Sequence, residues 1–272
     1  MIYLTGAGGL VGRRFRKLCS KTWEEVFELG GNESIATISY RDTVYDVFKS
    51  HEKSCLVHLG WSSTTRDKDR EKVQKDVENS RKLFEYYINK NPNGKIIFVS
   101  SAGDMHQNHG GMFCSGMENP TPRTLYGQSK LHVEKILQLL PCKTVVLRTS
   151  NIWGGSEWVD EDRVNGLVDK LFSALNTDKV VEIFANLDTH VDLIHVDDFI
   201  SLLIKVIDND LDKDHELFLV GGQSITIGDI INRISKKGSL NLKLNQKADK
   251  SFINVQPFKA QSTFDWKRNH NL

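Results

Sequence analysis

Tyr126 and Lys130 have the residue types and the spacing for acid–base chemistry, because they lie four positions apart in the segment TLYGQSKLHVEK. On a helix, this spacing places both side chains on one face, about one turn apart. A tyrosine with its ordinary pKa of about 10 is a poor acid or base at neutral pH. A neighbouring ammonium group favours the phenolate and lowers that pKa, so the pair could move a proton to or from the hydroxyl of a sugar or an alcohol.

The segment IIFVSSAG, which precedes this pair, predicts a buried strand at Ile96–Val99 followed by Ser100 and Ser101. Such a strand delivers both serines to the carboxyl edge of a sheet, where ligands bind in open α/β folds. A tyrosine and a lysine at this spacing also occur by chance at an exposed helix start. Their position after this strand is what favours a catalytic site.

Glycine is concentrated near the start of the chain, where MIYLTGAGGLVGRRF contains Gly6, Gly8, Gly9 and Gly12 between an apolar strand and a predicted helix. The first glycine permits a tight turn, the middle ones let the main chain approach a pyrophosphate, and the last lets the helix pack closely on the strand. The phosphates would lie at the positive N-terminus of that helix. A glycine-rich turn without a ligand is the alternative, and the strand–turn–helix context favours dinucleotide binding.

The end of the second strand discriminates NAD from NADP, since NAD-binding proteins place an acidic residue there and NADP-binding proteins tend to place an arginine nearby. The segment IATISYRD predicts this strand at Ile35–Ser39, followed by Arg41 and Asp42. Asp42 is placed to cap the next helix. Arg41 therefore favours NADP over NAD, with a solvated surface arginine as the alternative.

Apolar runs alternate with amphipathic helical patterns up to about residue 150. Short buried strands are predicted at Ile2–Leu4, Ile35–Ser39, Cys55–Leu59, Ile96–Val99 and Thr144–Leu147. Helices are predicted around Val44–Phe48, Val73–Ile88 and Leu131–Leu140. This alternation is typical of a parallel sheet covered on both faces, and it predicts an α/β fold with a Rossmann-type doubly wound sheet.

The pattern changes in the second half of the chain. Helices are predicted at Val164–Leu175 and Phe199–Ile207, the latter capped by Asp197 or Asp198, and strands at Val180–Phe184, Val191–Val196 and Leu217–Val220. We therefore predict a dinucleotide-binding domain at residues 1–155 and a smaller C-terminal α+β substrate-binding domain at residues 156–272. As an alternative for the segments near residues 190–207, we consider packing with the Rossmann core.

Composition excludes several classes of function. The 36 basic residues nearly balance the 35 acidic ones, which is not the charge distribution of a protein that binds nucleic acid or a membrane surface. No apolar run approaches the roughly 20 residues of a membrane span, and no signal peptide is recognised. The four cysteines are scattered without a CxxC pair, so we expect free thiols and a cytoplasmic location.

Six segments resemble, in order and spacing, the extended short-chain dehydrogenases/reductases of the NAD-dependent epimerase/dehydratase type: TGAGGLVG, LVHLGWSS, FVSSAG, YGQSK, LRTSNIWG and DLIHVDD. The resemblance covers nearly the whole chain. It implies hydride transfer to or from carbon, usually in the hexose of a nucleotide sugar, and often a homodimer. It also implies that Tyr126 is the acid/base, that Lys130 lowers its pKa and holds the nicotinamide ribose, and that Ser101 hydrogen-bonds the reacting oxygen.

With this resemblance, the residues expected to bind the cofactor are Gly6, Gly9, Leu10, Val11, Gly12, Arg41, Leu59, Gly60, Tyr126 and Lys130. Trp61, Asn151 and Trp153 are expected to contact the substrate, with a role in the core as the alternative for Trp61. No metal site is expected, because His106, His109 and Cys114 share a loop but lack the spacing and the fourth ligand of a closed site. His195 is expected to be a structural hydrogen-bonding residue at a strand end.

Departures from the family's motifs reduce the number of reactions that the resemblance allows. Sugar 4,6-dehydratases carry Thr-Asp-Glu where this chain has Ser101, Ala102 and Gly103, so elimination is not expected. Reduction of a 4-keto sugar and 4-epimerisation remain, and an NADP preference would favour reduction. The arginine that often pairs with the diphosphate is replaced by Val191, with Arg148, Arg163 or Lys170 as candidate substitutes. A reductase of a non-nucleotide carbonyl substrate is therefore the alternative, and a non-catalytic cofactor-sensing protein is a third.

Overall fold

The structure is a computed structural model of the 272-residue chain. It describes residues 1–19, 26–29, 48, 50, 53–105, 119–155, 166–245 and 251–272. None of the helices in these ranges is both long enough and apolar enough to cross a membrane.

A six-stranded sheet with the order β2-β1-β3-β4-β5-β9 forms the centre of the molecule, and all its neighbouring strands are parallel. Its strands are β1 (Ile2–Thr5), β2 (Val26–Leu29), β3 (Cys55–His58), β4 (Lys95–Ser101), β5 (Lys143–Thr149) and β9 (His215–Val220). Apolar residues occupy both faces of β1, β3, β4, β5 and β9, as burial on both sides of a parallel sheet requires. The predicted α/β, Rossmann-type doubly wound fold is confirmed.

Helices cover both faces of this sheet. They are α1 (Leu10–Cys19), α2 (Arg70–Lys90), α3 (Leu125–Leu137), α5 (Val196–Asp208) and α7 (Phe258–Phe264). Two further helices, α4 (Leu167–Ala174) and α6 (Ile227–Ser235), pack against the smaller sheets of the carboxyl half. Alternate strand residues pack against different helix layers: Ile2 and Leu4 join the core that includes α1, α5 and α7, and Tyr3 joins the core that includes α2 and α3. The catalytic candidates of α3 therefore lie on the layer shared with α2.

The second strand of the sheet differs from the sequence prediction. The strand that pairs with β1 is Val26–Leu29, whereas the prediction placed it at Ile35–Ser39. The segment VFEL is short and contains a glutamate, so the sequence pattern favoured the longer apolar run IATIS as the second strand. Residues 35–39 and Arg41 lie outside the described residues. The described strand next to β1 ends at Leu29, and the predicted strand at residues 35–39 with Arg41 after it stays a prediction.

Two smaller sheets flank the carboxyl half of the chain. Strand β8 (His190–His195) pairs with β6 (Asn151–Trp153) in parallel and with β10 (Gln223–Thr226) in antiparallel orientation, and β11 (Asn241–Leu244) pairs with β7 (Val180–Ile183). Strand β9, in contrast, belongs to the six-stranded sheet. The boundary between domains at residues 155 and 156 stays a prediction.

Candidate active site

The carboxyl end of β4 and the start of α3 bring the three catalytic candidates to one edge of the sheet. Ser101 is the last residue of β4, and Tyr126 and Lys130 lie in the first two turns of α3. Thr124 begins the helix by accepting a hydrogen bond from the Gly127 N–H at 3.0 Å. The Lys130 ammonium donates to the Val99 carbonyl of β4 at 2.9 Å, which ties the helix to the strand that carries Ser101.

Lys130 is buried beside aromatic rings. Its Nζ lies 3.9 Å from the centroid of Trp61, 4.6 Å from that of Phe98 and 5.7 Å from that of Tyr126. Burial lowers the pKa of Lys130 to about 7, and the carboxylates of Asp76 and Glu134 act in the opposite direction. A lysine with such a pKa exchanges its proton readily near neutrality.

The pKa of Tyr126 is shifted opposite to the prediction. Burial raises it above its ordinary value, and the carboxylates of Asp104 and Asp76 raise it further. Lys130 was expected to lower this pKa, but its ammonium donates to a carbonyl and lies over the Trp61 ring. The phenol of Tyr126 is therefore held in its protonated form.

Trp61 is fixed in the site by the loop after β3. Its indole N–H donates to the Ser63 hydroxyl at 2.9 Å, and its ring meets Tyr126 edge to face with centroids 6.4 Å apart. The buried Asp76 of α2 accepts hydrogen bonds from the Ser62 hydroxyl at 2.6 Å and from the Ser63 N–H at 2.9 Å. Asp76, which the sequence analysis did not single out, organises the loop that carries Trp61.

His58 is a site residue that the sequence analysis did not single out. Its imidazole nitrogens contact the Thr5 hydroxyl at 2.7 Å and the Ser80 hydroxyl at 3.0 Å, and Thr5 also accepts from the Gly60 N–H at 2.9 Å. Burial and the nearby Lys130 ammonium hold the pKa of His58 at about 3, so the imidazole is neutral. It joins the strand before the glycine segment to helix α2. Only the position of His58 in the motif LVHLGWSS could have indicated this role.

The glycine segment has the close contacts that the sequence predicts. Gly6 has a φ of 73°, and a Cβ on it would lie 2.6 Å from the Gly60 nitrogen. A Cβ on Gly12 would lie 2.3 Å from the Gly6 carbonyl oxygen, so α1 can approach the turn only with glycine there. A Cβ on Gly9 would make one ordinary contact, at 3.4 Å.

These residues fit a dinucleotide. Gly8 and Gly9 are exposed at the N-terminus of α1, and the first turn of that helix holds no acidic residue. The backbone there is open to an anion, and the helix N-terminus favours negative charge. The predicted cofactor residues Leu10 and Val11 form the first turn of α1 and pack partly into the core, as does Leu59 after β3.

Arg148 is not available to a diphosphate. It forms a buried ion pair with Glu134 of α3, with Nη2 and Oε2 2.7 Å apart, and Ser100 donates to the same carboxylate at 2.5 Å. This pair joins β5 to α3, so the sequence-based suggestion that Arg148 replaces the missing arginine was wrong. Arg163 lies outside the described residues, and Lys170 lies on α4.

The remaining predicted residues lie around β6 and β8. Asn151 is exposed and donates to the Asp192 carbonyl at 3.2 Å. Trp153 stacks on Phe172 with centroids 6.5 Å apart and meets His195 edge to face at 4.7 Å. These contacts serve packing, and a contact of Asn151 or Trp153 with substrate stays a prediction.

His195 is a structural hydrogen-bonding residue, as predicted, because its Nδ1 accepts from the Asp197 N–H and caps α5. The prediction that Asp197 or Asp198 caps this helix was wrong. Asp197 binds the Arg14 guanidinium through both oxygens at 2.6 and 2.7 Å, and Asp198 accepts from the His270 ring at 2.8 Å. Both carboxylates are thus used in tertiary contacts.

Potential metal ligands occur together at one place in the described ranges, where His195, Asp197 and His270 bring ligand atoms within 4.8 Å of one another. Arg14 already neutralises Asp197, and His195 uses Nδ1 for the cap. This cluster is a hydrogen-bonded network that ties the C-terminal segment to α5. His106, His109 and Cys114, which the sequence analysis considered as metal ligands, lie outside the described residues.

A cavity of about 990 Å³ lies at the opposite, amino edge of the sheet, lined by Ser54, Lys95, Lys143 and Asp210 among others. Two of its lysines are already engaged, because Lys95 donates to the carbonyls of Val206 and Ile207 and Lys143 contacts Asp210. Ligands of open α/β sheets bind at the carboxyl edge. The cavity contains none of the catalytic candidates and is not the candidate active site.

The fold is similar to that of several solved structures. MoeE5 in complex with UDP-glucuronic acid and NAD gives a TM-score of 0.84 at 17% identity, covering 99% of this chain and 94% of that chain. The UDP-glucose 4-epimerase of Thermotoga maritima with UDP-glucose gives 0.81 at 19% identity, covering 99% and 94%. RMD from Pseudomonas aeruginosa complexed with NADPH gives 0.79 at 15% identity, covering 99% and 94%.

No curated protein matches the chain, and the structural likenesses, at these identities, establish the fold. The model of the NAD dependent epimerase/dehydratase family matches residues 2–221. This range includes the glycine segment, strand β4 and helix α3, which carry the candidate site. The chain therefore belongs to the NAD-dependent epimerase/dehydratase family.

Proposed function

We propose that the protein is an NAD(P)-dependent enzyme that acts on the hexose of a nucleotide sugar, by reduction of a 4-keto group or by 4-epimerisation. The observation that carries this proposal is the meeting of Ser101, Tyr126 and Lys130 at the carboxyl edge of β4 and the start of α3. This edge is where the fold binds its ligands. Family membership supports enzyme activity with a nicotinamide cofactor.

Similar structures support the substrate class. MoeE5 is described in complex with UDP-glucose and NAD as well as with UDP-glucuronic acid and NAD. A UDP-glucuronic acid 4-epimerase from Bacillus cereus in complex with UDP-glucuronic acid and NAD covers 99% of this chain at 17% identity. On this basis, a sugar linked to a nucleoside diphosphate is the proposed substrate.

Tyr126, Ser101 and Lys130 would each have a separate role at the reacting oxygen. Tyr126, kept protonated, would donate its proton to a keto oxygen, and the Ser101 hydroxyl would hydrogen-bond that oxygen. Lys130, with a pKa of about 7, would hold the cofactor ribose and replenish the proton of Tyr126. A bound nicotinamide cofactor supplies the hydride donor or acceptor. A protonated tyrosine at rest suits the reductive direction, so reduction is the favoured reaction.

NADP is the favoured cofactor, with NAD as the alternative. The proposal rests on Arg41, which lies outside the described residues. Similar structures hold either cofactor, because RMD is complexed with NADPH and MoeE5 with NAD.

Replacement of Tyr126 by phenylalanine tests the proposed function. Tyr126→Phe removes the transferable proton and leaves the ring in contact with Trp61, so turnover of 4-keto or 4-hydroxy nucleotide sugars should fall by at least about 100-fold. Binding of NADPH, measured by fluorescence, should stay unchanged. Full activity of this variant would overturn the proposed role of Tyr126.

A reductase of a non-nucleotide carbonyl compound is the second candidate. It is favoured by Val191 at the position of the diphosphate arginine and by the burial of Arg148 against Glu134. Thermal shift assays with UDP, GDP and dTDP separate the two. Stabilisation by a nucleoside diphosphate supports the nucleotide sugar, and its absence with all three, together with turnover of simple carbonyl compounds, supports the alternative.

A homodimer is also proposed. On α3, Val133 and Leu137 are fully buried in the protein's own core, and Ile136 packs against that core. Among the described residues, Tyr86 on α2 and Leu139 after α3 are exposed apolar residues near these two helices that a partner could cover. Light scattering should give twice the chain mass, and a single-chain mass would overturn the proposal.

A further inference from the structure

His58, the last residue of β3, is completely buried and has a polar partner for each ring nitrogen. Its ring stacks on Phe98 with centroids 5.6 Å apart and meets Phe84 edge to face at 5.5 Å. In such apolar surroundings an unpartnered nitrogen would cost stability. Nδ1 contacts the Thr5 hydroxyl at 2.7 Å, and Nε2 contacts the Ser80 hydroxyl at 3.0 Å. The imidazole therefore connects the end of β1 to helix α2.

The hydrogen-bond pattern assigns the tautomer of His58. The Ser80 hydroxyl has a single hydrogen, and it donates this hydrogen to the Asp76 carbonyl at 2.7 Å. Its oxygen must then accept from His58, so Nε2 carries the proton. Burial and the nearby Lys130 ammonium lower the pKa of His58 to about 3, which keeps the ring neutral. Nδ1 is consequently an acceptor, and the Thr5 hydroxyl donates to it.

This chain of hydrogen bonds reaches both ends of the loop after β3. At one end, Thr5 Oγ1 accepts from the Gly60 N–H at 2.9 Å. At the other end is Asp76, whose carbonyl is the last acceptor of the chain and whose carboxylate accepts from the Ser63 N–H at 2.9 Å. The loop is thus attached at two backbone N–H groups, and His58 lies between the two attachments.

The backbone of this loop determines two features of the candidate site. The Gly60 nitrogen lies 2.6 Å from the position of a Cβ on Gly6, so it forms one wall of the glycine turn. Between the two attachments, the Trp61 ring covers the Lys130 ammonium at 3.9 Å. A displacement of the loop would therefore change the glycine turn and the surroundings of Lys130 together.

We propose that His58, as the Nε2–H tautomer, is a positioning residue that fixes the loop after β3 at both ends. Through Thr5 it holds the Gly60 backbone in place. Through Ser80 it fixes the turn of α2 that carries Asp76. Because His58 acts through the loop, its effect on dinucleotide binding rests on the proposed function.

Two replacements of His58 test its effect on the dinucleotide. His58→Leu removes both hydrogen bonds, and the affinity for NADPH or NADH, measured by fluorescence, should fall at least about tenfold because two buried hydroxyl groups lose the partner that His58 provides. His58→Gln offers an oxygen to Thr5 and an N–H to Ser80, so the affinity should return to within about threefold of wild type. His132→Leu, the same change at an exposed histidine of α3, should leave the affinity unchanged.

Amide hydrogen exchange, followed by NMR in the cofactor-free protein, tests the two attachments directly. In His58→Leu the amides of Gly60 and Ser63 should exchange at least about tenfold faster relative to the amide of Ile97. Ile97 lies buried in the middle of β4 and reports global unfolding, so a general loss of stability would not change this ratio. His58→Gln should restore the ratio of the wild-type protein.

An unchanged exchange ratio in a folded His58→Leu protein would overturn the proposal, and so would wild-type dinucleotide affinity in that variant. If His58→Leu does not fold, Ser80→Ala takes its place, because it leaves the glycine segment intact. The Gly60 amide should then exchange about threefold faster than in wild type, since His58 loses the partner that fixes its tautomer. Unchanged exchange in Ser80→Ala would overturn the proposal.

The two readouts separate this inference from the proposed function. If the wild-type protein binds neither NADPH nor NADH, the proposed function fails. The exchange measurement needs no cofactor, and it still decides whether His58 fixes the loop.

Discussion

The ammonium nitrogen of Lys130 lies 3.9 Å from the centroid of the Trp61 ring. This contact joins helix α3 to the loop after β3, which Asp76 holds through Ser62 and Ser63. A cation over the face of an aromatic ring is attracted by the electrons of that ring, and the attraction is stronger when water is excluded. Lys130 is thus held by Trp61 of the loop after β3, and that loop is in turn held by Asp76 of α2.

Lys130→Met should lose turnover and gain stability. Folding lowers the pKa of Lys130 from its ordinary value to about 7, so the folded protein pays a cost for the charged form. That cost is fully present below pH 7 and declines as pH rises from 7 toward the ordinary lysine pKa, because only the unfolded chain then binds the proton. Unfolding in urea at pH 6 should show a gain of about 2 kcal/mol, and a smaller gain at pH 9.

Lys135→Met is the matched control for this prediction, because Lys135 is exposed on the same helix. Its free energy of unfolding should stay within about 0.5 kcal/mol of the wild-type value at both pH values. A Lys130→Met protein that is less stable than wild type at pH 6 would contradict the burial of a charged lysine.

Gly9→Ala and Gly12→Ala should separate cofactor binding from folding. A Cβ on Gly12 would collide with the Gly6 carbonyl, so Gly12→Ala should lower the free energy of unfolding by about 1–3 kcal/mol and weaken NADPH binding. Gly9→Ala makes one ordinary contact and should fold like wild type. Its methyl group would still occupy the pyrophosphate position and reduce NADPH affinity about tenfold, or ~1.4 kcal/mol.

Thermal denaturation and fluorescence titration measure the two effects. If Gly9→Ala bound NADPH as tightly as wild type, the glycine segment would be a structural turn only.

Arg148→Met should destabilise the protein strongly. It leaves the Glu134 carboxylate buried without its partner, which costs about 3–5 kcal/mol. The double variant Glu134→Leu with Arg148→Met removes both charges and should recover most of this loss. Denaturant unfolding checks the stabilities, and thermal shifts with UDP check ligand binding. A loss of UDP binding in a double variant of near-wild-type stability would show that Arg148 contacts the diphosphate after all.

Local patterns were sufficient to predict the parts of the fold that depend on neighbours in sequence. The strand, turn and helix around Gly6–Gly12 appear where glycine spacing placed them. Helix α3 overlaps the helix predicted at Leu131–Leu140 but begins six residues earlier, at Leu125. Strand β2 was misplaced because its four residues VFEL carry less apolar signal than the later run IATIS. Which segment becomes the second strand is decided by its pairing with β1, and no local sequence pattern encodes that pairing.

The electrostatics of the site were beyond sequence reasoning because they depend on burial and on distant residues. The spacing of Tyr126 and Lys130 gave the correct helix and the wrong direction for the tyrosine pKa, since Asp76 and Asp104 come from other elements. The sequence left Arg148 as a candidate ligand of a phosphate. Its ion pair with Glu134 joins β5 to α3, and this contact is not visible in the spacing of the sequence.

The most direct measurement is native mass spectrometry of the purified protein, alone and after addition of NADPH, NADH or NAD⁺. We expect one dinucleotide per chain, with NADPH retained in preference to NADH and little retained by Gly9→Ala. Wild-type protein that carries tightly bound NAD⁺ would replace the NADP preference with a fixed cofactor and favour epimerisation. Wild-type protein that binds no nicotinamide dinucleotide would contradict the proposed function.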